Sequence, residues 1–193
     1  MNPDGPPTAA AVICHANPLE GGVMHFKVVF RAAKACQARG LAALRFNFRG
    51  VGRSEGVHDH GNGEQADVRA ALDEMERRFP GLPLVMGGLS FGSVMALRVG
   101  ASDSRVRALF ALGFPLDRVE DLTFLQEGKK PRLFVQGSDD QFGSVARLLD
   151  LVSRLPEPRS GVVIPGSDHL FSGQLDKLQE ALDSWLAGRP WAA

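Results

Sequence analysis

The chain has 193 residues, of which 44% are hydrophobic, with 22 lysines and arginines against 22 aspartates and glutamates. That length suits one domain over 1–193 with a sizeable core, and the balanced charge supplies no field to draw nucleic acid, an acidic membrane or a polyanionic substrate. Cys14 and Cys36 show neither a C-x-x-C pair nor metal-ligand spacing, which reads as buried free thiols in a reducing compartment. Met1–Thr8 is polar and proline-rich, and no apolar run approaches the ~18 residues of a membrane span, so the expectation is a cytoplasmic protein with no membrane partner.

Thr8–Cys14 is a short apolar run fit for a buried parallel strand. The loop His15-Ala16-Asn17-Pro18-Leu19-Glu20-Gly21-Gly22 follows, then Phe26, Val29, Ala33 and Cys36 at helical spacing, with Gly40 as the stop. A second strand is predicted over Leu41–Phe48. The glycines of Arg49-Gly50-Val51-Gly52-Arg53-Ser54-Glu55-Gly56 then mark a tight loop, and the segment on to Gly63 is polar and irregular. Val68, Leu72, Met75 and Phe79 share one face of an amphipathic helix over Gln65–Phe79, ended by Pro80-Gly81.

The third strand, Leu82–Gly87, runs into Gly88-Leu89-Ser90-Phe91-Gly92 and a helix ending near Ala101; the fourth is Val106–Leu112. Gly113–Lys130 mixes apolar and charged residues and reads as a small flap or short helix. The fifth strand, Arg132–Gln136, gives way to Gly137-Ser138-Asp139-Asp140 and a helix through Leu148, Leu149, Val152 and Leu155. The sixth, Gly161–Ile164, ends in Pro165-Gly166-Ser167-Asp168-His169, and a last helix buries Leu175, Leu178, Leu182, Trp185 and Leu186.

Strands alternating with helices in this way predict an α/β fold, a six-stranded parallel sheet with helices on both faces and a short flap. Ligand sites in such sheets gather at the carboxyl ends of the strands, where every polar cluster of this chain falls.

Gly88–Gly92 has the G-x-S-x-G form of a nucleophile elbow, in which Ser90 occupies a sharp strand-to-helix turn and small flanks permit close backbone approach. The helix that starts at Phe91 brings unpaired N–H groups and a partial positive charge to the serine oxygen. A serine nucleophile needs a base and a group to orient that base. Of the five histidines, His25 lies in a helix, His58 and His60 in a polar loop, and His15 at the end of the first strand; His169, after the sixth strand, can lean over the sheet. The acid should fall between serine and histidine, which points to Asp139 or Asp140, with Asp117 and Asp121 weaker candidates. Spacing leaves the choice between Asp139 and Asp140 open.

These segments together resemble the small bacterial α/β-hydrolases of the dienelactone-hydrolase-like kind, over nearly the whole length. The resemblance rests on His15–Gly22, Arg45–Gly56, Gly88–Gly92, Gly137–Asp140 and Gly166–His169. It implies strand order 2-1-3-4-5-6, Asp140 as the acid and His169 as the base. It further implies an oxyanion hole made by the Phe91 N–H with one from Leu19 or its neighbour Glu20; Pro18 has no N–H to give. The chain departs from relatives in having His15-Ala16-Asn17-Pro18 for His-Pro-His-Pro, Gln141 after the acid, and no antiparallel strand pair before the first strand. The second strand is then an open apolar edge, which a homodimer would cover.

Other clusters have plainer readings. Asn47-Phe48-Arg49-Gly50-x-Gly52 lacks the dinucleotide fingerprint and the P-loop lysine and reads as a structural turn. His58, Asp59, His60 and Glu64 read as a solvated loop, so no metal and no cofactor are expected. Phe114, Leu116 and Phe124 either line a small acyl pocket or pack the flap on the sheet. The expected function is hydrolysis of a small ester or thioester through an acyl-enzyme on Ser90. Amide or peptide cleavage, and a catalytically silent fold used for binding, are the alternatives.

Overall fold

The computed structural model describes residues 1–126 and 128–187; Glu127 in the flap and the far end of the expected 1–193 domain lie outside the described residues. Six strands, β1 (Ala9–Cys14), β2 (Leu41–Arg45), β3 (Leu84–Leu89), β4 (Val106–Leu112), β5 (Arg132–Gly137) and β6 (Arg159–Ile164), form one sheet in the order β2-β1-β3-β4-β5-β6. All neighbouring pairs are parallel. The helices are α1 (Lys27–Ala38), α2 (Asn62–Arg78), α3 (Phe91–Ser102), α4 (Val145–Arg154) and α5 (Leu175–Ala187).

Alternation along each strand divides the core in two. Ala9, Ala11 and Ile13 of β1 join the side covered by α1 and α5, and Ala10, Val12 and Cys14 join the side covered by α2, α3 and α4. Strands sandwiched in this way have no solvent face, which is why β1, β3 and β4 read as apolar runs instead of alternating ones. Burial also pushes the Cys14 and Cys36 thiols up from their ordinary range, so neither forms a thiolate at neutral pH.

Several element ends differ from the sequence expectation, β3 starting at Leu84 and β6 at Arg159, and two of the differences have a hydrogen-bonding reason. β2 stops at Arg45, short of Phe48, because side chains take over the backbone groups beyond it. Ser54 Oγ donates to Asn47 O at 3.0 Å, and His15 Nε2 accepts from Phe48 N at 3.0 Å. α2 starts at Asn62 instead of Gln65 because the buried Glu64 carboxylate accepts from the N–H groups of Asp59 and Gly61, both at 2.8 Å, and so caps the first turn. The flap is two short 3-10 turns, Leu116–Arg118 and Thr123–Leu125, laid over the core.

The edge of β2 is not bare. Met1 O accepts from Ala43 N at 2.8 Å and the Met1 amino group donates to Ala43 O at 2.7 Å. The pairing occupies, at Ala43, the edge whose openness is the reason to expect a dimer. No helix among the described residues is long and apolar enough to cross a membrane.

Candidate active site

Ser90 joins β3 to α3 with φ 54° and ψ −124°, a backbone state that costs a side-chain-bearing residue energy and persists only where its surroundings hold it. Its N–H donates to Leu112 O of β4 at 2.9 Å, and its carbonyl accepts from both Ser93 N (2.8 Å) and Ser93 Oγ (2.6 Å). The flanking glycines are sterically required. A Cβ on Gly92 would lie 2.3 Å from His15 O, and one on Gly88 would lie 2.6 Å from the Gly92 carbonyl carbon. The end of β1 is thereby pressed against the elbow.

His169, on the loop after β6, is buried, and its Nδ1 lies 2.8 Å from Asp140 Oδ2. An ionised carboxylate can only accept, so Nδ1 carries the proton and Nε2 is left with its lone pair. Asp140 is held by two further donors: Phe142 N to Oδ1 at 2.8 Å and Gln136 Nε2 to Oδ2 at 2.7 Å. Gln136 is itself fixed, its Oε1 accepting from Phe114 N at 2.9 Å. Asp139 points elsewhere and accepts from Ser138 Oγ at 2.8 Å. The two aspartates that spacing left equivalent are therefore distinct: Asp140 meets the histidine.

The pair stands one strand away from the elbow. Ser90 is bonded to the end of β4, and at Gly113, the next residue of that strand's exit, an added Cβ would sit 3.0 Å from His169 O and 3.2 Å from its Nδ1. His169 thus lies over the carboxyl end of β4, on the same edge of the sheet as Ser90.

Leu19, expected as the second oxyanion donor, is otherwise engaged. Its N–H donates to Asn17 Oδ1 at 3.0 Å, Glu20 N donates to Asn17 O at 3.0 Å, and the Leu19 side chain is 67% exposed. Both amides cap a 3-10 turn, Pro18–Glu20. Phe91 N, in the first turn of α3, has no intrahelical acceptor. Asn17 N likewise has no acceptor among the described residues.

A cavity of about 390 Å³ opens beside Phe91, with Asn17, Val94, Met95, Pro115 and Arg118 in its wall. Phe114, Leu116 and Phe124, expected as possible substrate contacts, do not line it. They are 0%, 5% and 8% exposed and belong to the core beneath the flap, Phe114 edge-on to Phe134 and Phe124 under the Arg98 guanidinium. Their apolar surface packs the flap down, and Pro115, Arg118, Val119, Glu120 and Asp121 are the flap residues that line the cavity.

The remaining polar clusters are structural. Buried His15 donates from Nδ1 to Ala16 O (2.7 Å) while accepting at Nε2, which ties the loops after β1 and β2 together; burial lowers its pKa, and the Ala16 bond works against that. Arg49 grips Asp67 through both Nε and Nη2, and Ser54 Oγ donates to Asn47 O, so that loop is a braced turn. His58 Nδ1 lies 2.8 Å from Glu64 Oε1, a carboxylate already committed to capping α2. Burial alone would raise the Glu64 pKa, but the Asp59 and Gly61 N–H groups hold it below the usual range.

Comparison with known proteins fits this geometry. An alpha/beta hydrolase domain matches residues 10–185. An uncharacterized protein of Rickettsia prowazekii (strain Madrid E) is 33% identical over 190 residues, covering 94% of this chain and 79% of its own. An alpha-beta serine hydrolase homologue from Coxiella burnetii superposes with TM-score 0.90 at 35% identity, over 96% of this chain and 89% of its own. XC6422 from Xanthomonas campestris, described as an a/b serine hydrolase without lid, gives TM-score 0.88 at 33% identity, over 98% and 88%. With the sheet order, the elbow and a domain match spanning most of its length, this chain belongs to the alpha/beta hydrolase family.

Proposed function

We propose that the protein is a serine hydrolase that cleaves a small carboxylic ester or thioester through an acyl-enzyme on Ser90. The observation that carries this reading is the His169–Asp140 pair, buried and bonded at 2.8 Å, on the sheet edge that also bears the Ser90 elbow. His169 Nε2 takes the hydroxyl proton as Ser90 Oγ attacks the carbonyl carbon, and Asp140 steadies the imidazolium. The negative charge that develops on the carbonyl oxygen falls to the Phe91 N–H and, in place of Leu19, to the Asn17 N–H; one such donor is worth about 2.7–4 kcal/mol of barrier. His169 returns the proton to the departing alcohol or thiol. Water, deprotonated by His169, then releases the acid and restores Ser90.

The cavity beside Phe91 supports an acyl group of modest size. Its volume, about 390 Å³, lies near the lower end for small-molecule sites, and Val94, Met95 and Pro115 give it apolar walls. The flap, being only two short turns, leaves the site open, in keeping with a relative described as lacking a lid.

The test is fluorophosphonate labelling, with the modified peptide mapped by mass spectrometry, alongside turnover of a short nitrophenyl ester. Labelling at Ser90, lost in His169→Ala and much slowed in Asp140→Asn but not in Asp139→Asn, is the expected result. A folded wild-type protein that neither labels nor turns over would overturn it in favour of a binding role.

A further inference from the structure

Phe142, which takes no part in the steps above, touches both members of the acid–base pair. Its N–H donates to Asp140 Oδ1 at 2.8 Å, and its ring stands edge-on to the His169 imidazole, centroids 4.6 Å apart and planes at 88°. Its carbonyl accepts from Asp117 N of the flap at 3.0 Å. The Arg118 Cζ lies 3.6 Å from the centre of the same ring, and Arg118 Nη1 reaches Glu20 Oε1, in the loop after β1, at 2.7 Å. Glu20, Arg118, Phe142 and His169 thus form one continuous run of contacts, from the loop after β1 to the loop after β6.

The bond to Asp140 fixes the direction of one imidazole nitrogen but leaves the ring plane free to rock about that bond. An aromatic edge against the imidazole removes this freedom, so that Nε2 keeps its aim when no substrate holds it. A guanidinium stacked on the Phe142 ring holds that edge in place, and the Glu20 carboxylate tethers the partly exposed guanidinium at 2.7 Å.

Resting on the reading of His169 as the base, we infer that Phe142 is a positioning residue for the His169–Asp140 pair and that Arg118, held by Glu20, clamps the Phe142 ring against the imidazole. The flap then has a task besides covering the core: through Asp117 and Arg118 it sets the imidazole plane.

The test compares Phe142→Leu, Phe142→Tyr, Arg118→Met and the Phe142→Leu/Arg118→Met double variant on a short nitrophenyl ester. The second readout is the solvent-exchange broadening of the downfield NMR resonance of the His169 Nδ1 proton, because loss of the ring current alone would move its chemical shift. Phe142→Leu, which keeps the backbone N–H and apolar volume, is expected to lower kcat about tenfold with KM within about twofold, and to broaden that proton by faster exchange. Phe142→Tyr restores kcat to within about threefold of wild type, and Arg118→Met lowers it about threefold. The double variant is no slower than Phe142→Leu alone, because the clamp has nothing left to hold.

A wild-type kcat and an unbroadened proton in Phe142→Leu overturn the inference. Losses that multiply in the double variant remove Arg118 from it. If Phe142→Leu fails to fold, unchanged kcat in Arg118→Met overturns the clamp, and Phe142→Tyr with the loss expected of leucine overturns the role of the ring. Ser90→Ala in the same assay separates the two claims: turnover there sinks the hydrolase reading, whereas its abolition beside a fully active Phe142→Leu sinks only this one.

Discussion

Asp140 Oδ2 serves two donors at once, His169 Nδ1 at 2.8 Å and Gln136 Nε2 at 2.7 Å. Gln136 is fully buried, and its other amide atom satisfies the Phe114 N–H, so it joins the acid to the start of the flap. Replacing it with leucine leaves that N–H unpaired, at a cost of about 1–3 kcal/mol of stability. The same change loosens Asp140 and slows ester turnover by about tenfold. Urea denaturation and steady-state kinetics on Gln136→Leu check both effects, and unaltered stability would show that the buried amide contributes nothing.

The elbow has no room for a methyl group. In Gly92→Ala the new carbon would meet His15 O at 2.3 Å, and backbone, not a flexible side chain, would have to yield. The expected loss is about 1–3 kcal/mol or more, seen as a fall in Tm. Because the displaced backbone carries Ser90, labelling by a fluorophosphonate should fall further than the stability loss explains. An alanine variant with wild-type Tm and labelling would mean that the elbow is looser than described.

Ser93→Ala probes what holds the strained conformation. The buried bond from Ser93 Oγ to Ser90 O, at 2.6 Å, is worth about 1 kcal/mol, while the Ser93 N–H bond to the same carbonyl survives the change. Stability should drop by about that amount. Labelling of Ser90 should slow, and a rate equal to wild type would leave Ser93 with packing alone.

His15 makes the fold acid-sensitive. Its folded pKa is depressed, chiefly by burial, whereas in the unfolded chain it titrates near ~6.5. Below that pH the unfolded state binds the proton that the folded state refuses, so stability is full above ~6.5 and falls as the pH is lowered toward the folded pKa. Denaturant midpoints measured from about pH 7 to about pH 5 should fall less steeply in His15→Gln than in wild type. Equal slopes would assign the acid sensitivity to other groups.

The strands were legible because burial on both faces writes them as apolar runs, and their carboxyl ends because the polar residues cluster there. Element ends were less so: β2 stops early and α2 starts early because of Ser54, His15 and Glu64, side chains acting on backbone far from themselves in sequence or hidden in a polar loop. Glu64 did carry a local signal, standing three residues after Gly61 as the acidic partner of a capping box. Spacing could not separate Asp139 from Asp140, since only the meeting of two loops decides which carboxylate faces His169. The resemblance implies Leu19 or Glu20 as the second donor, Pro18 having no N–H; nothing in the sequence says that Asn17 gathers both amides into its own turn. Gln136, Ser93 and Phe142 gave no signal, because each matters only through partners that the folded sheet brings to it.

β4 lies between the strand that carries Ser90 and those that carry Asp140 and His169, both of which follow it in the chain. In chain order the elbow precedes its acid and base, and the Ser90 N–H finds its acceptor, Leu112 O, only once β4 is in place. Under the proposed mechanism, docking of β5 and β6 onto β4 is the moment at which the serine becomes reactive. Under that mechanism a chain without β5 and β6 carries the serine but neither its acid nor its base, so the far half of the sheet supplies the reactivity of the near half.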